Sequence, residues 1–174
     1  VFSYFHPLSR PHIEPSLNTI KQEQPIHVEG ESVLRFGFIE GEAVVDANKA
    51  VFDPQTWLRK PSFRLNGSKA NELAIVLNEL ELSSFGGSSD IKKNAFQLME
   101  EEQANVVVVK KGPRGAEVFE SSGLSSHIPV FKSSRVFKIG TGDIFSAVFA
   151  HYWTEKRLLP KEAAYMASKA VAEY

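Results

Sequence analysis

Residues 138–153, KIGTGDIFSAVFAHYW, join a Gly-x-Gly-Asp turn to an apolar-periodic helix, and this junction constrains the fold more than any other stretch. Gly140 and Gly142 allow a tight turn with an exposed main chain that a Cβ would obstruct. The helix start leaves amide N–H groups without intrahelical acceptors, and the helix dipole adds partial positive charge there. Gly140, Thr141, Gly142 and Asp143 therefore form a cradle suited to an anion, with a carboxylate at its edge. The same four residues also read as an ordinary turn with a capping aspartate, so alone they leave both readings open.

The context is that of one globular domain: 174 residues, 43% hydrophobic and 24% charged. A formal net charge of −1 and the lack of a long basic block argue against a nucleic-acid partner. The absence of cysteine excludes disulfides, thiolate metal sites and cysteine nucleophiles, and fits a cytoplasmic protein. The longest apolar runs, such as Val106–Val109, are far shorter than the roughly 20 residues a membrane span needs. The amino terminus, VFSYFHPLSR, has neither a secretory pattern nor an initiator methionine, which predicts that the chain begins mid-protein.

Residues 1–32 carry Pro7, Pro11, Pro15 and Pro25 and read as an irregular surface segment. Val33 to Asp53 predicts three short strands, separated by turns at Glu40-Gly41 and Asp46–Lys49. Asp53, before Pro54, lies where open α/β sheets place their ligands, and it serves equally well to open a turn. Asn66-Gly67 reads as a turn. Ala70, Leu73, Ala74, Leu77 and Leu80 recur at three- and four-residue spacing, predicting a helix over 68–82 capped by Ser68. A second helix follows from Ile91, Ala95 and Leu98 to the acidic run Glu100–Glu102, expected on the solvated surface. Asn105–Lys110 reads as a buried parallel strand, and KKGPRG as a tight turn. Ala116–Phe119 and His127–Phe131 then suggest a hairpin around the serine-rich loop 121–126. The helix from Asp143 is expected to bury Ile144, Ala147, Val148 and Tyr152. The last, from Pro160, is expected to bury Ala163, Met166, Ala167, Ala170 and Val171. Helix-then-strand order points to an α/β layered fold.

Other phosphate-handling motifs fail. No Walker loop is present, and Phe145 occupies the position of the third glycine in a dinucleotide fingerprint. The histidines His6, His12, His27, His127 and His151 show no zinc-binding spacing, and no G-x-S-x-G elbow presents a serine nucleophile. The motifs that remain, in their order and separation, resemble the carboxyl-terminal part of the PfkB/ribokinase family of carbohydrate kinases. VVVVKKGPRGAEVF is similar to that family's strand and T-x-G-x-x-G turn, and KIGTGDIFSAVFA to its G-[AT]-G-D-x-F signature. Asn71-Glu72 resembles the start of its N-x-x-E segment. The resemblance covers roughly residues 33–174.

The resemblance implies a ribokinase-like three-layer α/β/α (Rossmann-like) fold, present as an incomplete domain in which residues 1–174 form the carboxyl-terminal portion. It implies ATP and Mg²⁺ as cofactors, and transfer of the γ-phosphate of ATP to an alcohol of a sugar or nucleoside-like substrate. Asp143 would be the base, and Gly140, Thr141 and Gly142 the anion hole. Lys110, Gly112 and Gly115 would lie by the nucleotide, and Asn71 near phosphate and Mg²⁺. Two departures stand out. Lys110 replaces the usual threonine, as a charge contact to nucleotide or as a solvated strand-end lysine. Counting from Asn71, Ala74 takes the place of the glutamate associated with Mg²⁺. Asn78-x-x-Glu81 repeats the spelling, in a register that the expected helix makes less attractive. The alternative, which Ala74 and the truncated ends permit, is a catalytically inactive kinase-like protein that binds nucleotide or sugar or acts as a regulatory protein.

Overall fold

The computed structural model describes residues 2–3, 12–55, 62–86, 88–133 and 139–174. Strands β1 (Phe2–Ser3) and β2 (His12–Ile13) form a small antiparallel pair. The remaining strands build one six-stranded sheet: β3 (Ile26–Phe36), β4 (Ala43–Asp53), β5 (Lys69–Asn78), β6 (Val106–Lys110), β7 (Ala116–Glu120) and β8 (Ser125–Ile128), in that spatial order. The first four are mutually parallel, and β7 and β8 join antiparallel. Pro7 and Pro11 lie outside the described residues. The segment expected to be irregular through residue 32 instead enters the sheet at Ile26.

The central strands are apolar on both faces, as a covered parallel sheet requires. Ala50, Phe52, Leu73, Ile75, Leu77, Val107 and Val109 face one side, where they meet Leu82 of α1 (Glu79–Ser83) and Ala95, Leu98 and Met99 of α2 (Ile91–Glu102). Val51, Ala74, Val76, Val106 and Val108 face the other. There they pack against Phe145 and Phe149 of α3 (Thr141–Ala150), Trp153 in the π turn that continues it, and Ala163, Ala164 and Ala167 of α4 (Pro160–Glu173). The result is three layers, α/β/α.

Several sequence expectations are corrected here. The stretch 68–82 is strand β5 followed by the short α1, not a helix. Leu73–Leu77 are five consecutive apolar residues, so any period fits them, and burial on both faces selects the strand. Ser68 caps no helix; it is buried, and its Oγ accepts from Val45 N at 3.0 Å. Asp46–Lys49 is no turn either, because Asp46 and Asn48 are the outward half of an alternation whose inward half is Ala43, Val45 and Ala47. Glu102 is buried rather than solvated, and its Oε2 accepts from Phe63 N (3.0 Å) and Arg64 N (3.3 Å). The strand expected at 127–131 runs over 125–128. In α3 the buried residues are Phe145, Ser146, Phe149 and Ala150, with Ala147 exposed, and α4 buries Ala164 and Ser168 where Met166 was expected.

The β3–β4 pair is unusual for parallel strands, since only residues 37–42 connect them. Six extended residues reach about 20–25 Å, whereas a straight strand of this length spans about 36 Å, so the pair has to bend. The pairing skips Glu31, between Gly30 and Ser32. Among the described residues no helix is long and apolar enough to cross a membrane.

The turn after β6 depends on one glycine. Gly115 has φ +78°, and a Cβ there would lie 2.1 Å from the carbonyl oxygen of Ile128 in β8. Gly115→Ala is therefore expected to destabilise the fold by about 2–4 kcal/mol through combined backbone strain and overlap. Urea denaturation measures this; an unchanged midpoint would contradict the packing described.

Candidate active site

The carboxyl ends of β4, β5 and β6 lie side by side and deliver Asp53, Asn78 and Lys110 to one edge of the sheet. Ligands in open α/β sheets occupy this edge. Asp53 is only 1% exposed, and its Oδ2 accepts from Lys110 Nζ at 2.7 Å and from Ser146 Oγ at 2.6 Å. Strands β4 and β6 and helix α3 thus meet in one buried polar knot. A buried carboxylate requires such partners, because desolvation without them is costly.

Helix α3 enters this edge through the glycine turn. Gly140 is its N-cap with φ +85°, a conformation glycine adopts without penalty, and no side chain caps the helix. The helix begins at Thr141, two residues before the start expected from sequence. A Cβ placed on Gly142 would sit 3.5 Å from Lys110 Nζ, so a cation lies directly against the turn. Asp143, in the first helical turn, is exposed, and its Oδ1 accepts from Gln55 Nε2 at 2.5 Å. Partial burial pushes its carboxyl above the usual carboxylate range, Asp53 adds to this, and Lys110 and the Gln55 hydrogen bond oppose it.

The sequence-derived residues divide. Gly140, Thr141, Gly142, Asp143 and Lys110 converge, and Lys110 is no solvated strand-end lysine, since its side chain is 17% exposed and ion-paired. Gly112 opens the short 3₁₀ turn that follows β6 and Gly115 closes it, and Arg114 ties this turn to Glu79 of α1 through an ion pair. Asn71 lies elsewhere: it is exposed near the start of β5, where its Nδ2 donates to Asn48 Oδ1 at 3.1 Å.

The N-x-x-E pattern at the sheet edge is instead Asn78–Glu81. These residues form a reciprocal capping box: Asn78 Oδ1 accepts from Glu81 N (2.9 Å), and Glu81 Oε2 accepts from Asn78 N (2.8 Å). Sequence reasoning set this pair aside because the preceding residues read as a helix interior; the capping-box spelling was the available signal. Glu81 is buried, and burial first, then Asp53, raises its pKa to about 7 against the pull of Lys110 and Asn78. Among the described residues no three acidic or histidine side chains converge as a metal cage. A divalent cation that shares its ligands with phosphates fits this chemistry, and Glu81 is the carboxylate whose ionisation it would favour.

The comparisons agree with this architecture. Residues 10–172 match the profile of the pfkB family carbohydrate kinase, and the chain belongs to that family. The match begins within residues 1–32, ahead of the stretch 33–174 that carries the resemblance in sequence. Over 105 residues the chain is 26% identical to 5-dehydro-2-deoxygluconokinase of Lacticaseibacillus casei, covering 58% of this chain and 32% of that protein. Ribokinase from Thermotoga maritima is similar in fold, with TM-score 0.55 at 20% identity over 91% of this chain and 52% of its own. Arabidopsis thaliana ribokinase, complexed with ribose and ATP, gives TM-score 0.57 at 18% identity over 74% of this chain and 48% of its own. The chain therefore spans about a third of that curated relative and about half of these structural neighbours.

The Glu81 environment sets a pH dependence. Its carboxyl ionises near 4.5 when unfolded and at about 7 when folded, so the folded state holds the extra proton between those values. Stability is unaffected by this group at lower pH, falls as pH rises through the window, and is lowered by about 3 kcal/mol above it. Glu81→Gln keeps an oxygen acceptor for Asn78 N, so it should flatten this slope and be the more stable protein at about pH 8. Urea denaturation of both proteins across the window measures the effect; identical slopes would contradict the assignment.

Proposed function

We propose that this chain carries the phosphoryl-transfer portion of an ATP-dependent carbohydrate kinase, with an alcohol of a sugar or nucleoside-like molecule as acceptor. The observation that carries the reading is the glycine-led, uncapped start of α3, with Asp143 in its first turn and Lys110 against it. Phosphoryl transfer needs positioning and charge stabilisation more than covalent assistance, and this arrangement offers both.

In this reading the acceptor hydroxyl gives its proton to Asp143 as its oxygen bonds to the γ-phosphorus of ATP. The bond from that phosphorus to the β,γ-bridging oxygen breaks, and ADP leaves. Amides of the Gly140–Gly142 turn and the Lys110 ammonium take up charge on the migrating group. The raised pKa of Asp143 suits a base, because it brings proton affinity closer to the working pH while the group stays ionisable. The turn containing Gly112 and Gly115 is the surface for the nucleotide. Glu81, rather than Asn71, would hold Mg²⁺ or its water, and the ion would supply charge neutralisation for the phosphates of ATP.

The molecules bound in two structural neighbours support the acceptor class. Arabidopsis thaliana ribokinase is seen with ribose and ATP, and the Burkholderia thailandensis nucleoside kinase with inosine. The non-catalytic alternative rested on Ala74 in place of a glutamate and on the ends missing from the chain; the Asn78–Glu81 pair at the sheet edge speaks against the first of these grounds. A cytoplasmic location goes with this reading.

Asp143→Asn keeps the shape of the carboxylate but accepts no proton, so transfer should fall by about 10²–10⁴-fold with ATP affinity little changed. ADP release, measured with Mg²⁺ over a panel of ribose, hexoses and ribonucleosides, reads the first quantity, and calorimetry with ATP the second. Full turnover in the variant removes Asp143 as base; binding of ATP without transfer by the parent protein favours the non-catalytic alternative.

A further inference from the structure

We propose that Gln55 is a positioning residue for Asp143, fixing one carboxylate oxygen so that the other is presented to the acceptor alcohol; this rests on the reading of Asp143 as the base. Gln55 Nε2 donates to Asp143 Oδ1 at 2.5 Å, joining the turn after β4 to the first turn of α3. An ionised carboxylate accepts only, so the glutamine must offer its NH₂ side, and the direction of the bond is settled by chemistry. Among the described residues Asp143 Oδ2 makes no hydrogen bond. An exposed carboxylate with neither oxygen tethered turns about its last side-chain bond, and one short bond at Oδ1 stops that rotation.

The backbone around Gln55 is held for this purpose. Its φ is +50°, a left-handed conformation that is uncommon for a residue other than glycine, asparagine or aspartate. Such a conformation persists only where neighbours over-determine it. Here Gln55 N donates to Asp53 Oδ1 at 3.3 Å. On the other side Gly37 packs so closely that a Cβ on it would lie 1.9 Å from the carbonyl oxygen of Pro54. Asp53 is itself fixed by Lys110 and Ser146 through its other oxygen. One aspartate thus divides its two oxygens, Oδ2 setting the cation and α3, and Oδ1 setting the residue that orients the base.

The charged groups facing Asp143 are Asp53 from β4 and Lys110 from β6. Gln55 adds no charge to this set, so its contribution is a directed hydrogen bond that favours the ionised carboxylate. Removing the bond should therefore raise the Asp143 pKa and loosen its geometry together. A structural role alone would produce neither effect.

The test uses Gln55→Leu and Gln55→Asn in the intact protein. Leucine keeps similar bulk without a donor; asparagine suits the left-handed backbone better but is one methylene short of Asp143. Both variants should lose about ten- to a hundredfold in kcat, with KM for ATP within about twofold. In both, the acidic limb of the pH–rate profile should move to higher pH. Carboxyl-carbon NMR of Asp143, read in the substrate-free protein, should show the same upward displacement without reference to turnover. An unmoved Asp143 titration in either variant, or a loss confined to KM, overturns the proposal. Failure of the underlying reading is told apart by Asp143→Asn: if that variant still transfers phosphate, the base is elsewhere whatever the Gln55 variants do.

Discussion

The buried contact of Asp53 with Lys110 and Ser146 is the interaction on which the site depends. Breaking one partner of such a pair costs about 3–5 kcal/mol, because an uncompensated charge remains in a dry environment. That penalty clamps the ends of β4 and β6 to the second turn of α3. It thereby sets where the α3 amides point and how near a cation lies to them. Burial first, and then the same aspartate, raise the pKa of Glu81 and that of Asp143, so Asp53 contributes to the charge state of both groups at this edge.

The sheet explains why these groups meet. Three adjacent parallel strands end together, so residues separated by long stretches of sequence arrive at one edge with their side chains already ordered by register. Covering both faces with helices makes the edge the place where polar groups can collect. The reversal of direction at β7 lets the turn after β6 stay short, and Gly115 fits closely against Ile128 there.

Much of this was legible in the chain. The glycine turn, Asp143, the apolar strand ending at Lys110 and the α/β layering follow from local pattern, because amide exposure at a helix start and burial of an unbroken apolar run are local consequences of residue type. The strand at 69–78 was not legible, since five consecutive apolar residues satisfy helical and extended periods alike. Misreading it displaced the N-x-x-E pattern to Asn71. Glu102 shows the same limit for charge: an acidic residue in a surface-like run is buried because two backbone amides of a distant turn need an acceptor.

The amino-acid sequence by itself determined which segment could cradle an anion and which carboxylate stood at its edge, because both depend on glycines and a helix start within four residues. Only the tertiary structure decided that Asn78 and Glu81, Asp53 and Gln55 belong to the same place. Their roles come from strand register and from desolvation of charges distant in the chain, and neither is encoded in local spacing.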